Sequence, residues 1–246
     1  MNISNIANVG LIGVTLLLST FSIQAANLII NGGFDTPGVT ESFSINNPTA
    51  VPGWTAVGAG SNTLDCLIVS GDTDNLCGSS FGGGLTFWIN PGSSPLGGNY
   101  VGMDSDREFS KPLTQTVDGL TVGQQYDISF WQASGQQKGD AFFGVTTEQW
   151  EVTLGSQSQF STLMTTPSHG SIDWNFQTLT FTATDTSELL TFFAKGTPSG
   201  QPPFAFLDGI SFQESNSVPE PEAYTLLGIG LLGILAVRRQ QKNRCA

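Results

Sequence analysis

Phe204-Ala-Phe-Leu-Asp-Gly-Ile-Ser-Phe212 carries the clearest β-strand signal in the sequence. Apart from Asp208, a large apolar side chain stands at every second position, which predicts a β-strand with one face packed on a core. Asp208 falls on that same predicted face. A carboxylate buried among aromatic rings needs a cation or hydrogen-bond donors to offset its desolvation, so the strand predicts a special environment for this residue.

Other β-prone stretches precede this strand and are separated by clusters of Gly, Pro, Asp and Asn. They are Leu64–Val69, Leu85–Ile89, Asn99–Met103, Tyr126–Trp131, Trp150–Leu154, Asn175–Ala183 and Leu189–Lys195. The last is a nearly continuous apolar run, which is typical of a strand buried on both faces. No segment has the 3.6-residue periodicity of a long amphipathic helix. The pattern predicts an all-β protein, namely a jelly-roll β-sandwich.

The charge of the chain is strongly one-sided. It has 20 acidic and 8 basic residues, and two of the acids and four of the bases follow Val218. The other 18 acids and 4 bases leave residues 26–217 with a net charge of −14. Such a surface repels nucleic acid and anionic lipid headgroups, whereas neutral partners and calcium are compatible with it.

The N-terminus has the pattern of a secretory signal peptide. The apolar run Val9–Leu18 is about ten residues long and therefore too short to cross a bilayer. The small residues Ala25 and Ala26 follow it, where a signal peptidase would cut. We therefore predict that residues 1–25 are a signal peptide and that the protein is exported.

The C-terminus has three parts in a fixed order. Val218-Pro-Glu-Pro221 is followed by an apolar stretch, residues 223–237, and then by a basic segment, residues 238–246. As a helix the apolar stretch spans about 22 Å, which is short for a membrane but tolerable when flanking arginines reach the headgroups. We predict a transmembrane helix in the inner membrane with its basic end in the cytoplasm.

This arrangement resembles the PEP-CTERM sorting signal, and the residues that carry the resemblance are Val218, Pro219, Glu220, Pro221, Arg238 and Arg239. The resemblance implies that an exosortase, a membrane-embedded processing enzyme of bacteria that secrete exopolysaccharide, acts on the chain. It also implies an anchored precursor and a product at the cell surface or outside the cell. An ordinary single-pass anchor is the alternative for this segment.

Residues 26–214 are the predicted ectodomain, and residues 215–222 link it to the helix. The ectodomain resembles the galactose-binding-like jelly roll of many carbohydrate-binding modules in three stretches: Asn27–Asp35 with Pro52–Trp54, Gly119–Phe130, and Phe206–Phe212. In calcium-containing members, a carboxylate directly after the Asn-Gly-Gly-Phe of the first stretch (residues 31–34 here) and an Asp in the last strand help to hold a structural ion. The resemblance therefore implies calcium at Asp35 and Asp208. The alternative is that Asp35 is a solvated turn residue and that Asp208 caps a turn or accepts hydrogen bonds from backbone N–H groups.

Cysteine usage agrees with export. Cys66 and Cys77 lie in the ectodomain, and an even pair in an oxidising compartment predicts a disulfide. Such a bridge contributes about 3 kcal/mol in the chain-entropy model. No His stands near the pair, so a metal site at these cysteines is disfavoured.

The sequence has no recognisable catalytic motif. No Gly-x-Ser-x-Gly elbow joins a strand to a helix, no His-Glu-x-x-His is present, and the single histidine, His169, stands in a turn-like Pro-Ser-His-Gly. Asp140, Glu148 and Glu151 are near Trp150, but nothing pairs two of them across a sugar. We therefore predict that the protein is not an enzyme.

Sugar binding is the favoured chemistry, because aromatic rings stack on the apolar faces of sugars and amides hydrogen-bond their hydroxyls. The candidate ligand-binding side chains are Trp88, Trp131, Trp150 and Gln132. Trp131 stands opposite the apolar face of its strand, which predicts that it points outward.

Two functions remain open at this level. The first is a non-catalytic module that binds extracellular polysaccharide, which predicts an exposed ring beside polar groups on a sheet. The second is a structural or adhesive matrix protein that makes protein contacts and binds no sugar. It predicts buried tryptophans with either a flat polar surface or an exposed apolar patch.

Overall fold

The structure is a computed structural model that describes residues 26–36, 38–59, 64–72, 77, 85–106 and 109–215. The predicted signal peptide, the Val218–Pro221 box, the predicted transmembrane helix and the basic tail lie outside these residues. None of the described segments is a helix with the length and apolar character needed to span a bilayer.

The regular structure of the described residues consists of twelve β-strands. In chain order they are β1 (Phe43–Ser44), β2 (Thr55–Ala56), β3 (Asp65–Ile68), β4 (Tyr100–Asp104), β5 (Leu113–Asp118), β6 (Gln125–Gln136), β7 (Thr146–Leu154), β8 (Gln157–Phe160), β9 (Met164–Thr166), β10 (Ser171–Thr182), β11 (Ser187–Thr197) and β12 (Pro203–Glu214).

The strands form two antiparallel sheets that pack as a sandwich. Sheet A has the order β1-β3-β4-β12-β6-β10, and sheet B has the order β2-β5-β11-β7-β8, with β9 also paired to β7. From β4 to β12 the chain passes repeatedly from one sheet to the other, which is typical of a jelly roll. The predicted fold class, an all-β jelly-roll sandwich, is confirmed.

Alternate side chains of facing strands fill the space between the sheets. Phe130 of β6 and Trp150 of β7 are both buried there. Phe192 of β11 lies between them, with ring centroids 5.2 Å from Phe130 and 6.2 Å from Trp150. Such edge-on aromatic contacts add to the burial of apolar area, which is the main stabilising term of the sandwich.

β11 is covered on one face only. Leu190 and Phe192 are buried in the core, whereas Leu189 is 49% exposed on the outer face of sheet B. The prediction that this strand is buried on both faces is therefore wrong. The apolar run misleads because Leu189 stands on a face that is open to solvent at this point.

The segment of residues 27–35, which we call the N-terminal segment, takes the place of β4 beside the second half of β12. β4 pairs only with residues 204–207 of β12. Beyond that point the Leu28 N–H donates to the Phe212 carbonyl and the Ile210 N–H donates to the Gly32 carbonyl, both at 2.9 Å. The predicted Asn-Gly-Gly-Phe stretch thus continues the hydrogen bonding of the sheet.

One half of the outer face of sheet A is covered by the segment of residues 85–99. Phe87 of this segment packs edge-on against Phe204 and Phe206, each at a centroid distance of 5.0 Å. The predicted strand Leu85–Ile89 is reduced to a single bridge between Phe87 and Gln137, because the segment serves as a cover and not as a further strand.

The predicted disulfide lies in this covered region. Cys66 of β3 is bonded to Cys77, and their Cα atoms are 5.2 Å apart, which is within the usual range for a disulfide. Both cysteines are buried in the apolar cluster that also contains Phe204 and Phe206. The bond therefore ties residue 77, on the connection that leads into the cover, to sheet A.

A bulge divides β12 into two halves. Its pairing with β6 changes register between Asp208 and Ser211. Gly209 stands in the bulge with a φ of +63°, a left-handed conformation that favours glycine. The extra residue turns the later side chains of the strand to the opposite face.

The bulge corrects one prediction from the sequence. Phe204 and Phe206 belong to the outer cluster under the cover, whereas Ile210 and Phe212 belong to the core between the sheets. The prediction that these four side chains share one face with Asp208 is wrong. Strict alternation does not hold across a bulge, and both halves of the strand are apolar because both faces are covered.

Glutamine side chains close one open side of the sandwich. Gln157 of β8 donates to the Thr182 carbonyl and Gln159 donates to the Thr180 carbonyl, both at 2.6 Å. These carbonyls belong to β10, the edge strand of sheet A. Capping them protects that edge from pairing with another chain.

We predict that Gly32→Ala destabilises the fold and that Gly38→Ala does not. A Cβ on Gly32 would collide with the Ile210 carbonyl oxygen, whereas a Cβ on Gly38 would meet open space. Gly32→Ala should lower the free energy of unfolding by about 1–3 kcal/mol, because the segment must move away from β12. Urea unfolding of the full chain measures both variants. Equal stabilities would contradict the close pairing of this segment with β12.

Candidate functional site

Asp208 occupies the bulge of β12 and is fully buried. Its Oδ1 accepts a hydrogen bond from the Gly209 N–H at 2.6 Å, and the Ser94 hydroxyl also donates to the carboxylate. Its Oδ2 is buried without a hydrogen-bond partner among the described residues. Burial raises the pKa of Asp208 to about 7, the two donors oppose this rise, and the charge of Asp35 adds to it.

Asp35 lies at the junction of the N-terminal segment and β4. Its Oδ1 accepts a hydrogen bond from the Asn99 N–H at 2.8 Å, and the Asn99 side chain donates to the Phe34 carbonyl at 3.2 Å. A Cβ on Gly98 would collide with the Asp35 carboxylate, so only glycine permits this close approach.

The two carboxylates face one small space. A Cβ on Gly33 would lie 3.5 Å from Asp35 Oδ2 and 3.9 Å from Asp208 Oδ1. The cavity has a volume of about 310 Å³, and its lining also includes Asn27, Gly97 and Gly209. We call this space the acidic cradle.

The acidic cradle fits a hard cation in its chemistry. It offers two carboxylates, one of which has an orphaned buried oxygen, and calcium prefers oxygen ligands. Within the described part of the chain, no three His, Cys, Asp or Glu side chains come together to hold a metal ion. A cation bound by Asp35 and Asp208 would therefore need backbone, amide or water oxygens to complete its coordination.

An aromatic pair stands on the part of the outer face of sheet A that segment 85–99 leaves open. Trp131 of β6 and Phe176 of β10 are direct cross-strand partners, and their ring centroids are 5.2 Å apart. Phe176 is 53% exposed, and Trp131 is half-buried. Trp131 points outward as its place in the strand predicts. We call these two rings the aromatic platform.

Short hydroxyl side chains flank the aromatic platform. Ser129 of β6 pairs with Thr178 of β10 on one side and with Ser211 of β12 on the other. All three residues are at least partly exposed. Trp131 is also next to the acidic cradle, because it pairs with Asp208 across the sheet.

Two of the predicted ligand-binding residues do not reach the surface. Trp150 is 0% exposed, and its indole N–H donates to the Phe206 carbonyl at 3.2 Å. Gln132 is fully buried, and its amide donates to the Thr162 carbonyl and to Asn175 Oδ1. Both residues share their strand's inward face, so the prediction that they stand beside an exposed sugar is wrong.

Trp88 lies apart from the aromatic platform. Its ring stacks on His169 at a centroid distance of 4.1 Å, and the Lys138 ammonium is 5.6 Å from its centre. The backbone N–H of Trp88 donates to the Gln136 carbonyl at the end of β6. Of the predicted ligand-binding residues, Trp131 therefore stands alone on the aromatic platform. Its partner there, Phe176, was not predicted from the sequence.

Glu148 is a buried acid that is hydrogen-bonded inside the sandwich. Thr146 and Thr166 donate their hydroxyls to its two carboxylate oxygens, and Ser134 joins the same network through Thr166. Burial raises the pKa of Glu148 to about 7, and these hydrogen bonds oppose the rise. Its carboxylate is closed off from solvent, so it does not form part of the exposed site.

A comparison with protein-family models identifies the C-terminal segment. Residues 217–240 match the PEP-CTERM protein-sorting motif. The prediction made from Val218–Pro221 and the arginines that follow the apolar stretch is thereby confirmed. The motif indicates export to the cell surface and processing by an exosortase.

One curated relative matches most of the chain. It is halomucin of Haloquadratum walsbyi, which is 28% identical over 230 residues. The alignment covers 90% of this chain, and this chain spans 2% of the length of that relative.

Several solved structures with similar architecture are carbohydrate-binding modules. TmCBM61, solved in complex with β-1,4-galactotriose, has a TM-score of 0.45 and 18% identity, and the match covers 78% of this chain and 100% of that one. The CBM22-1 xylan-binding domain of Paenibacillus barcinonensis Xyn10C has a TM-score of 0.35 and 13% identity, with coverage of 70% and 92%. A CBM4 module has a TM-score of 0.34 and 17% identity, with coverage of 76% and 99%.

Proposed function

We propose that the ectodomain is a non-catalytic module that binds polysaccharide outside the cell. The observation that carries this proposal is the aromatic platform, because two large rings on an open sheet face are costly to leave in water without a partner. Trp131 and Phe176 offer apolar surface to the C–H face of a sugar ring.

The residues around the platform suit the polar edge of a sugar. The hydroxyls of Ser129, Thr178 and Ser211 both donate and accept hydrogen bonds, as the hydroxyls of a sugar do. A ligand site commonly combines an apolar floor with a few polar groups that orient the ligand. Here the aromatic platform supplies the apolar floor, and the three neighbouring hydroxyl side chains supply the polar groups.

The sorting motif indicates where in the organism this binding would take place. A protein sorted to the cell surface by exosortase meets the polysaccharide that surrounds the cell. A binding module in that position would retain the protein in the matrix after its tail has been processed. The proposal for the ectodomain and the destination of the chain are therefore consistent with each other.

We also propose that the acidic cradle binds calcium through Asp35 and Asp208. The orphaned oxygen of Asp208 is the observation that supports it, because a buried ionised oxygen without a partner is unfavourable. A cation there would join the N-terminal segment to the bulge of β12. Its role would be structural support for the strand that neighbours Trp131.

Replacing Trp131 by alanine is expected to lower saccharide affinity at least about tenfold, since an aromatic anchor at the centre of a site carries much of the binding energy. Binding is measured for the full chain, in a detergent without a sugar headgroup, against cello-, xylo- and galacto-oligosaccharides and an oligogalacturonate. Phe160→Ala is the control, because Phe160 is a half-exposed aromatic residue of sheet B.

Equal losses in the Trp131 and Phe160 variants would contradict the platform as the binding surface. A folded parent chain that binds none of these saccharides would contradict sugar binding itself. That result would favour the alternative function, a matrix protein that makes protein contacts.

Calcium is expected to stabilise the parent chain and to have no effect on Asp208→Asn. At a calcium concentration about one hundred times the dissociation constant, the free energy of unfolding should rise by about 2.7 kcal/mol. Denaturant unfolding of chelator-treated protein, with and without added calcium, measures this. Asp140→Asn is the control, because Asp140 is an exposed acid in the β6–β7 connection. Equal responses of the parent and Asp208→Asn would contradict the site.

A further inference from the structure

A groove opens at the side of the sandwich where the glutamine caps stop. One wall is residues 162–165, which are the end of the β8–β9 connection and the start of β9, and the other wall is the first part of β10, residues 171–175. Its volume is about 810 Å³, within the range of ligand-binding clefts. We call it the edge groove.

A bulge in β10 shapes this groove. The pairing of β10 with β6 changes register between Ile172 and Asn175. Bulges redirect side chains and are frequent next to binding sites. Here the bulge sets Asp173 and Trp174 at the groove, while the Thr162 N–H bonds to Gln177 Oε1 at 2.9 Å and closes the groove on the side of the caps.

The edge groove holds an acidic side chain with unused hydrogen-bonding capacity. The Asp173 side chain is exposed and has no hydrogen-bond or ionic partner within the described part of the chain.

An aromatic side chain connects the groove with the platform. Trp174 contacts Tyr100 and Phe206 of the outer cluster, so it lies on the same face of sheet A as Phe176. Two residues along a strand separate Trp174 from Phe176, a distance of about 7 Å. The edge groove and the aromatic platform are therefore neighbouring parts of one surface.

We infer that the edge groove is a second saccharide subsite, which takes a neutral sugar unit of the chain that lies on the aromatic platform. This inference rests on the proposed function. The exposed Asp173 carboxylate is a hydrogen-bond acceptor, and the hydroxyls of a sugar are donors that match it. Trp174 supplies a wall for the apolar edge of the ring.

Charge selects the class of sugar. None of the described residues that line the edge groove is Lys, Arg or His, and the exposed Asp173 is one of the acids that give the ectodomain its net charge of −14. A carboxylated or sulfated sugar would be repelled at this subsite. The groove therefore takes neutral units in preference to acidic ones.

The test is Asp173→Asn, which keeps the shape of the side chain and removes its charge. We expect the affinity for the best-binding neutral oligosaccharide of the panel to fall about tenfold, because the charged acceptor of a hydrogen bond is lost. Affinity for oligogalacturonate should rise or stay the same. Asp140→Asn is the matched control for the change in net charge, and it should alter neither affinity.

A combined set of variants separates this inference from the proposed function. If Trp131→Ala loses binding and Asp173→Asn binds like the parent, the platform stands and the groove inference is overturned. If Asp173→Asn loses binding and Trp131→Ala does not, the groove binds sugar without the platform, so it is not the second subsite of one surface. If the two variants both lose affinity, and Asp140→Asn does not, the inference is supported.

Discussion

The bulge between Asp208 and Ser211 sets which side chains of β12 face the core and which face the cover. It lets one strand, β12, place Phe204 and Phe206 under the outer cover and Ile210 and Phe212 in the core. The same bulge puts the Asp208 carboxylate next to Asp35, at the point where the N-terminal segment replaces β4 beside β12. Three parts of the chain therefore meet at one residue whose buried charge needs a partner.

The outer face of sheet A has a covered half and an open half. Segment 85–99 and the disulfide cover one half, and this covered half is a second apolar core. The open half carries the aromatic platform and ends at the edge groove. The cover thus limits a ligand to the open half, because the other half of the sheet is already occupied by the chain itself. The strong negative charge of the ectodomain further restricts the ligands to those that tolerate it.

Much of the fold follows from local patterns in the sequence. The alternation in β6 predicts that Trp131 points outward, and the same alternation places Gln132 with Phe130 on the inward face. Trp150 likewise shares the face of Val152 and Leu154, so its burial was predictable from spacing alone. Gly209 inside β12 is a local signal of a bulge, but which half of the strand packs on the core and which under the cover is not predictable, because apolar residues stand on both sides of the bulge.

Features formed by segments that are distant in sequence cannot be predicted from local sequence patterns. The edge groove depends on the gap between the β8–β9 connection and the bulged start of β10. The aromatic platform depends on the register that sets Phe176 beside Trp131, and the sequence does not specify a partner across strands. The acidic cradle is the exception, because a resemblance to known jelly rolls had already associated Asp35 with Asp208.

The most direct measurement is ¹⁹F NMR of the full chain labelled with 5-fluorotryptophan, with the best-binding neutral oligosaccharide added stepwise. The chain has five tryptophans, and each resonance is assigned by a Trp→Phe variant. Binding on the open half of sheet A predicts saturable shifts for the Trp131 and Trp174 resonances, with those of the buried Trp54 and Trp150 unchanged. A saturable shift confined to Trp88 would contradict it, because the ligand would then bind away from the open half of sheet A.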